Sequence, residues 1–220
     1  MAPNGFSKKK TGYLTEPSKK DTETILRIQI FLDEKMFGPG KIDGQMGQFT
    51  RKAVAHYNFG YNLKYDNYYK VINESKAAID ELFTSYTIKE EDFNFVGEVS
   101  LEPAEQAKID YLYYRSILEF VAERFHSDEK YIAKINPEID WEQATVDTTI
   151  KVPNVTPFKI EKIKEDKSFQ RERKLSKRLV IVDTTQKLVA IWEKKKIIAT
   201  FPITPGQEKF IHRGDWVIQN

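Results

Sequence analysis

The residues most able to meet a ligand sit in one short loop, Phe37-Gly38-Pro39-Gly40-Lys41-Ile42-Asp43-Gly44-Gln45-Met46-Gly47-Gln48-Phe49-Thr50. Gly38, Gly40, Gly44 and Gly47 give it a density of permissive backbone that a plain connector does not need. Asp43 and Gln45 bring a carboxylate and an amide, which suit hydrogen bonding to a polar ligand. Tyr57 and Tyr61 follow, within a tyrosine-rich run that includes Tyr65, Tyr68 and Tyr69. Their rings offer stacking faces and their hydroxyls a polar edge, the combination that suits sugars. Asp43, Gln45, Tyr57 and Tyr61 are therefore the candidate binding residues.

Other chemistry is less well supported. Glu119 and Glu123 are four apart, so on a helix both carboxylates share a face, as paired acids in glycoside hydrolysis require. Arg115 is also four from Glu119, which favours a solvated ion pair over an acid catalyst. His56, His126 and His212 are widely separated and lack metal-ligand spacing. His126, after Phe125, reads as a helix-end residue. The sequence holds no cysteine, so it has no disulfide, no zinc-thiolate site and no thiol nucleophile. No metal or cofactor is expected.

The elements that position the loop are legible from periodicity. Ile25, Ile28, Leu32 and Met36 recur at helical spacing before it, and Phe49, Ala53, Val54 and Tyr57 after it. Asp21 is the expected N-cap of the first helix, which should run to about Met36, where Gly38 and Pro39 stop it. The second helix should run from Gln48 to Phe59 and stop at Gly60. A third should cover Asn67 to Lys76. Leu82–Ile88 reads as a strand, Pro103–Lys108 and Ile117–Phe125 as helices, and Asp128–Ile135 as a helix capped by Ser127. Ile150–Pro153 reads as a closing strand. Leu179–Val182 and Leu188–Trp192 form a hairpin, followed by strands at Ile197–Ile203 and from Trp216.

Composition sets the outer bounds. The chain has 220 residues and a formal net charge of +2, with 35 Lys+Arg against 33 Asp+Glu. That balance does not suit a dedicated nucleic-acid binder. No apolar run is long enough for a transmembrane helix. Residues 1–20 are polar and lysine-rich, read as a disordered tail without the apolar segment of a signal peptide. Lys159–Arg178 is rich in basic residues and reads as a solvated linker.

The first helical stretch resembles the peptidoglycan-binding domain of the small three-helix type. The residues that carry the likeness are Ile28-Gln29, Leu32, Phe37-Gly38, Asp43-Gly44, Gly47, Thr50 and Ala53-Val54, between about Thr22 and Leu63. The resemblance implies peptidoglycan, its glycan or its stem peptide, as partner. The next stretch is similar to a LysM module, a strand-helix-helix-strand unit, through Tyr86-Thr87-Ile88, Val121-Ala122, Ile132, Asn136-Pro137 and Val152-Pro153. It departs from that pattern at Glu90-Glu91-Asp92 and by an insertion before Val121. The last stretch resembles the opening of an L,D-transpeptidase catalytic domain, through Leu179–Val182, Leu188–Trp192, Phe201–Gly206 and Gly214-Asp215-Trp216-Val217-Ile218.

That family uses a cysteine thiolate with a histidine base, and no such segment lies within these residues. The resemblance thus implies the targeting portion of a wall cross-linking or remodelling enzyme, with no catalytic residue in this chain, located in the cell envelope. A non-catalytic wall anchor is the alternative, and a glycan hydrolase a weaker one. The expected fold class is α+β. It comprises a tail (1–20), a three-helix peptidoglycan-binding-like domain (21–78), a LysM-like βααβ module (80–156), a charged linker (157–178) and an incomplete β-sheet at the C-terminus (179–220). Ile181, Val189 and Trp192 of that sheet should expose apolar surface.

Overall fold

The computed structural model describes residues 15–109, 111–163, 173–175 and 177–216. Expectations for residues 1–14, for half of the charged run and for Val217–Asn220 lie outside the described residues. Within them the chain is mixed α+β, with two small antiparallel sheets.

Helix α1 (Thr22–Glu34) is the hub. Ile25, Leu26, Ile28, Gln29, Ile30, Phe31 and Leu32 are all buried, so the helix is enclosed on more than one stripe. Helices α2 (Gln48–Gly60) and α3 (Tyr68–Ala78) pack against it. Met36, expected on the buried stripe, is instead 54% exposed. It lies beyond the helix at φ 65°, with its N–H on Asp33 O and Phe37 N–H on Leu32 O. This is a Schellman motif, so the helix stops at Glu34, four residues before Gly38.

Helix α2 ends the same way. Asn62 takes the left-handed position at φ 57°, and Leu63 N–H returns to Asn58 O. Gly60 is therefore the last helical residue rather than the stop signal. A Cβ there would lie 3.1 Å from Ile197 O, which accounts for glycine at this position. Asp21 occupies the N-cap position of α1, but its carboxylate accepts Ser18 N–H and not a helix donor. The expected tail is in part attached: Glu16 pairs with Arg51 and accepts from Tyr68 Oη.

The second unit pairs β1 (Phe83–Thr87) with β2 (Thr149–Pro153), antiparallel, Tyr86 opposite Ile150. Between them lie a short helix α4 (Pro103–Gln106), then α5 (Ile117–Arg124) and α6 (Glu129–Ile135). Asn136 ties α6 to β2: its Nδ2 donates to Ile132 O and Lys151 O, and its Oδ1 accepts Lys151 N–H. Ser116 caps α5 through Glu119 N–H. The cap of α6 is Asp128, not Ser127, because the Ser127 hydroxyl donates to Ile42 O instead.

The charged run begins as part of this unit. Arg124, only 6% exposed, lies over the Tyr86 and Phe120 rings and meets Glu161 with two hydrogen bonds. Phe158 N–H also returns to Arg124 O.

The third unit is a sheet of β3 (Arg178–Asp183), β4 (Leu188–Glu193) and β5 (Lys196–Pro202), in that order. It does not stand apart from the helices. Gly38 N–H donates to Thr200 O and Thr200 N–H to Met36 O, and Phe59 meets Trp192 edge-on. The β5 face is thereby covered, with Ile197, Ala199 and Thr200 buried. The exposed apolar surface is concentrated on β3, at Leu179, Val180, Ile181 and Val182, whereas Val189 and Trp192 are half-buried. Trp216 is exposed and outside any strand.

Candidate functional site

The loop after α1 is built around one buried amide. Gln29 sits 1% exposed beneath it. Its Oε1 accepts the N–H groups of Asp43 (3.1 Å) and Gly44 (2.8 Å). Its Nε2 faces Lys41 O (3.1 Å), Gln45 O (3.0 Å), Asp43 Oδ1 (3.1 Å) and Thr50 Oγ1 (3.3 Å). Thr50 in turn donates to Pro39 O. A loop of this glycine content has many backbone groups to satisfy away from water, and a side-chain amide with donors and acceptors at its tip does so from within. Gly40 and Gly44 lie at φ 81° and 71°, where a side chain is strained.

Asp43 and Gln45 are brought together. Asp43 Oδ1 accepts Gln45 N–H at 2.8 Å, and Oδ2 accepts Gln45 Nε2 at 3.3 Å. The first contact is an Asx turn, so Asp43 shapes the loop. Gln45 is the exposed member of the pair. A shallow depression of about 170 Å³ opens beside them, lined by Pro39, Lys41, Asp43, Gln45, Gln48 and Phe49 among others. Periodicity does not reveal Lys41, Gln48 and Phe49 as lining residues. Lys52 lies over the Phe49 ring at 5.5 Å, which places positive charge beside the depression.

Tyr57 and Tyr61 form a separate pair. Their rings meet at 4.9 Å, and Tyr57 is only 2% exposed. Phe31 and Phe37 also press on Tyr57 edge-on, and its hydroxyl donates to Glu74. Burial, then the bond to Glu74, raises its pKa. Tyr57 thus has no free face for stacking, and it is not among the residues that line the depression beside Asp43. Tyr61 is half-exposed, with the Lys70 ammonium 4.5 Å from its ring centroid. Tyr65 and Tyr69 are exposed, while Tyr68 is buried with its hydroxyl on Glu16.

Of the α5 carboxylates, Glu119 is held in an ion pair with Arg115. Arg115 donates to Glu119 through its backbone N–H, Nε and a terminal nitrogen. That hydrogen bonding lowers the Glu119 pKa, opposite to the direction a general acid requires. Among the histidines, His126 lies at φ 54° after α5 and its Nδ1 is 2.8 Å from Asp33 Oδ2. Burial lowers the His56 pKa, and His212 is exposed. Among the described residues, no group of three or more acidic or histidine side chains is placed to hold a metal ion. Nor, among them, is any helix long and apolar enough to cross a membrane.

No protein-family model matches this sequence, and no characterised protein matches it significantly.

Proposed function

We propose that this chain binds peptidoglycan and belongs to the targeting part of a cell-envelope protein of the L,D-transpeptidase type. The supporting observation is the loop itself. The residues of the peptidoglycan-binding pattern are those that build it: Gln29, Asp43, Gly44 and Thr50 form its hydrogen-bonded interior, and Ile28, Leu32, Phe37, Ala53 and Val54 its buried base. The framework presents the Gln45 and Gln48 amides around the depression, with Lys41 at its rim paired to Asp128, and side-chain amides can meet the amides and carboxylates of stem peptides.

The finer reading of residues 80–156 as a LysM-like module draws support from the β1-α5-α6-β2 order and from Asn136 locking α6 to β2. Within it, Glu90-Glu91-Asp92 lead a 3-10 turn in which Asp92 accepts from Tyr86 and Lys89, so this departure serves the fold. The chain's contribution is recognition rather than the family's acyl transfer, because no thiol is present in the sequence to act as nucleophile.

The test is co-sedimentation of the full chain with purified sacculi. Gln45→Ala should reduce the pelleted fraction, while Tyr61→Ala should leave it unchanged. Equal binding of wild type and Gln45→Ala, with loss on Tyr61→Ala, would move the site to the tyrosine face. Failure of the wild type to sediment would reject the proposal.

A further inference from the structure

The seam between the helical unit and the βααβ unit is held by three consecutive residues after α5. His126 O accepts Ile42 N–H at 2.8 Å, and Ser127 Oγ donates to Ile42 O at 2.6 Å. Asp128 pairs with Lys41, and the His126 ring meets Asp33 on α1 at 2.8 Å. His126 fills the left-handed position of a Schellman motif, with its own N–H on Glu123 O and Ser127 N–H on Ala122 O. Its backbone is therefore fixed by α5 while its carbonyl and ring both reach the helical unit. Moving the ring off Asp33 loads the same turn that holds Ile42.

We propose that His126 is a proton-controlled latch between these two units, which tightens the seam when the imidazole is charged and loosens it when neutral. A charge-assisted bond is roughly twice as strong as a neutral one, so losing the proton weakens the latch without removing it. The groups around the ring favour the charged form. Asp33 faces it from α1, and Glu123 acts on it from α5. Lys41 and Asp128 neutralise each other alongside, and Glu123 and Glu129 act on Lys41 rather than opposing it. The bond to Asp33 outweighs burial and raises the His126 pKa above the ordinary value. The latch is accordingly complete below about pH 6.5 and weakens as pH rises through the folded-state value. The latch does not depend on what the loop binds.

The test uses the full chain, with the His126 ring followed by NMR and the Ile42 amide by hydrogen exchange, from about pH 5.5 to about pH 8.5. The Ile42 protection factor, corrected for intrinsic exchange, should fall about fivefold as His126 loses its proton. His126→Asn keeps a residue suited to the left-handed position and should make Ile42 protection independent of pH. Asp33→Asn leaves residue 126 intact and should lower the His126 midpoint. A midpoint at or below about 6.5 in the wild type would overturn the latch. So would the same pH profile of Ile42 protection in His126→Asn.

Discussion

Gln29 should contribute more to stability than any exposed polar residue of its loop. Gln29→Met preserves length and apolar stem but removes both the carbonyl and the amide. Four backbone groups then lose a partner: the N–H groups of Asp43 and Gly44, and the carbonyls of Lys41 and Gln45. Gly44 is buried, whereas Asp43 is half-buried and Gln45 exposed, so water can replace part of the loss. An unpaired buried donor costs about 1–3 kcal/mol, and partial rescue of the others brings the total to about 3 kcal/mol. Urea unfolding measures the total, and hydrogen exchange at Asp43 and Gly44 locates it. A loss below about 1 kcal/mol, with those amides still protected, would refute the role given to Gln29. Gln29→Glu provides a pH-dependent companion. The introduced carboxylate would face two carbonyls and Asp43, raising its pKa, so the deficit should shrink as pH falls through that raised value.

Lys194 and Lys195, at φ 48° and 66°, make the β4–β5 turn in a conformation that favours glycine at its second position. Lys195→Gly should raise stability by about 1 kcal/mol, read as a higher thermal midpoint. Gly38→Ala should do the reverse, because its Cβ would meet Pro202 Cδ at 2.8 Å, where β5 seats on the helices. The cost should be about 1–3 kcal/mol, with faster exchange of the Thr200 amide. Incubation with a carbapenem should leave the intact mass unchanged, since the chain contains no cysteine to acylate.

The helices were readable because their apolar residues repeat at three- and four-residue steps, a consequence of burial that composition alone cannot hide. Their ends were less readable. Met36 and His126 take left-handed positions that usually fall to glycine, Asn62 takes one that suits asparagine, and Gly38 and Gly60 serve close approach instead. The hairpin of β3 and β4 and its return strand follow from β-branched runs separated by polar turns. Docking of β5 on the helical unit does not, because the Gly38–Thr200 and Thr200–Met36 bonds are made by backbone groups that any sequence carries. At the site, the spacing of Asp43 and Gln45 pointed to a structured loop. It did not show that Gln29 builds the loop from below, or that Tyr57 is consumed by the core. The signal for Gln29 is its place four residues after Ile25 and three before Leu32, which puts a polar group on a buried stripe.

The most direct test of the account is chemical-shift mapping of the full chain with soluble peptidoglycan fragments that carry stem peptides. The largest changes should fall on the Gln45 side-chain amide and on the backbone amides of Lys41, Gly47 and Gln48, with Gln29 little affected. Changes confined to Tyr61, Tyr65 and Tyr69 or to the β1–β2 pair, or no changes at all, would contradict recognition by this loop.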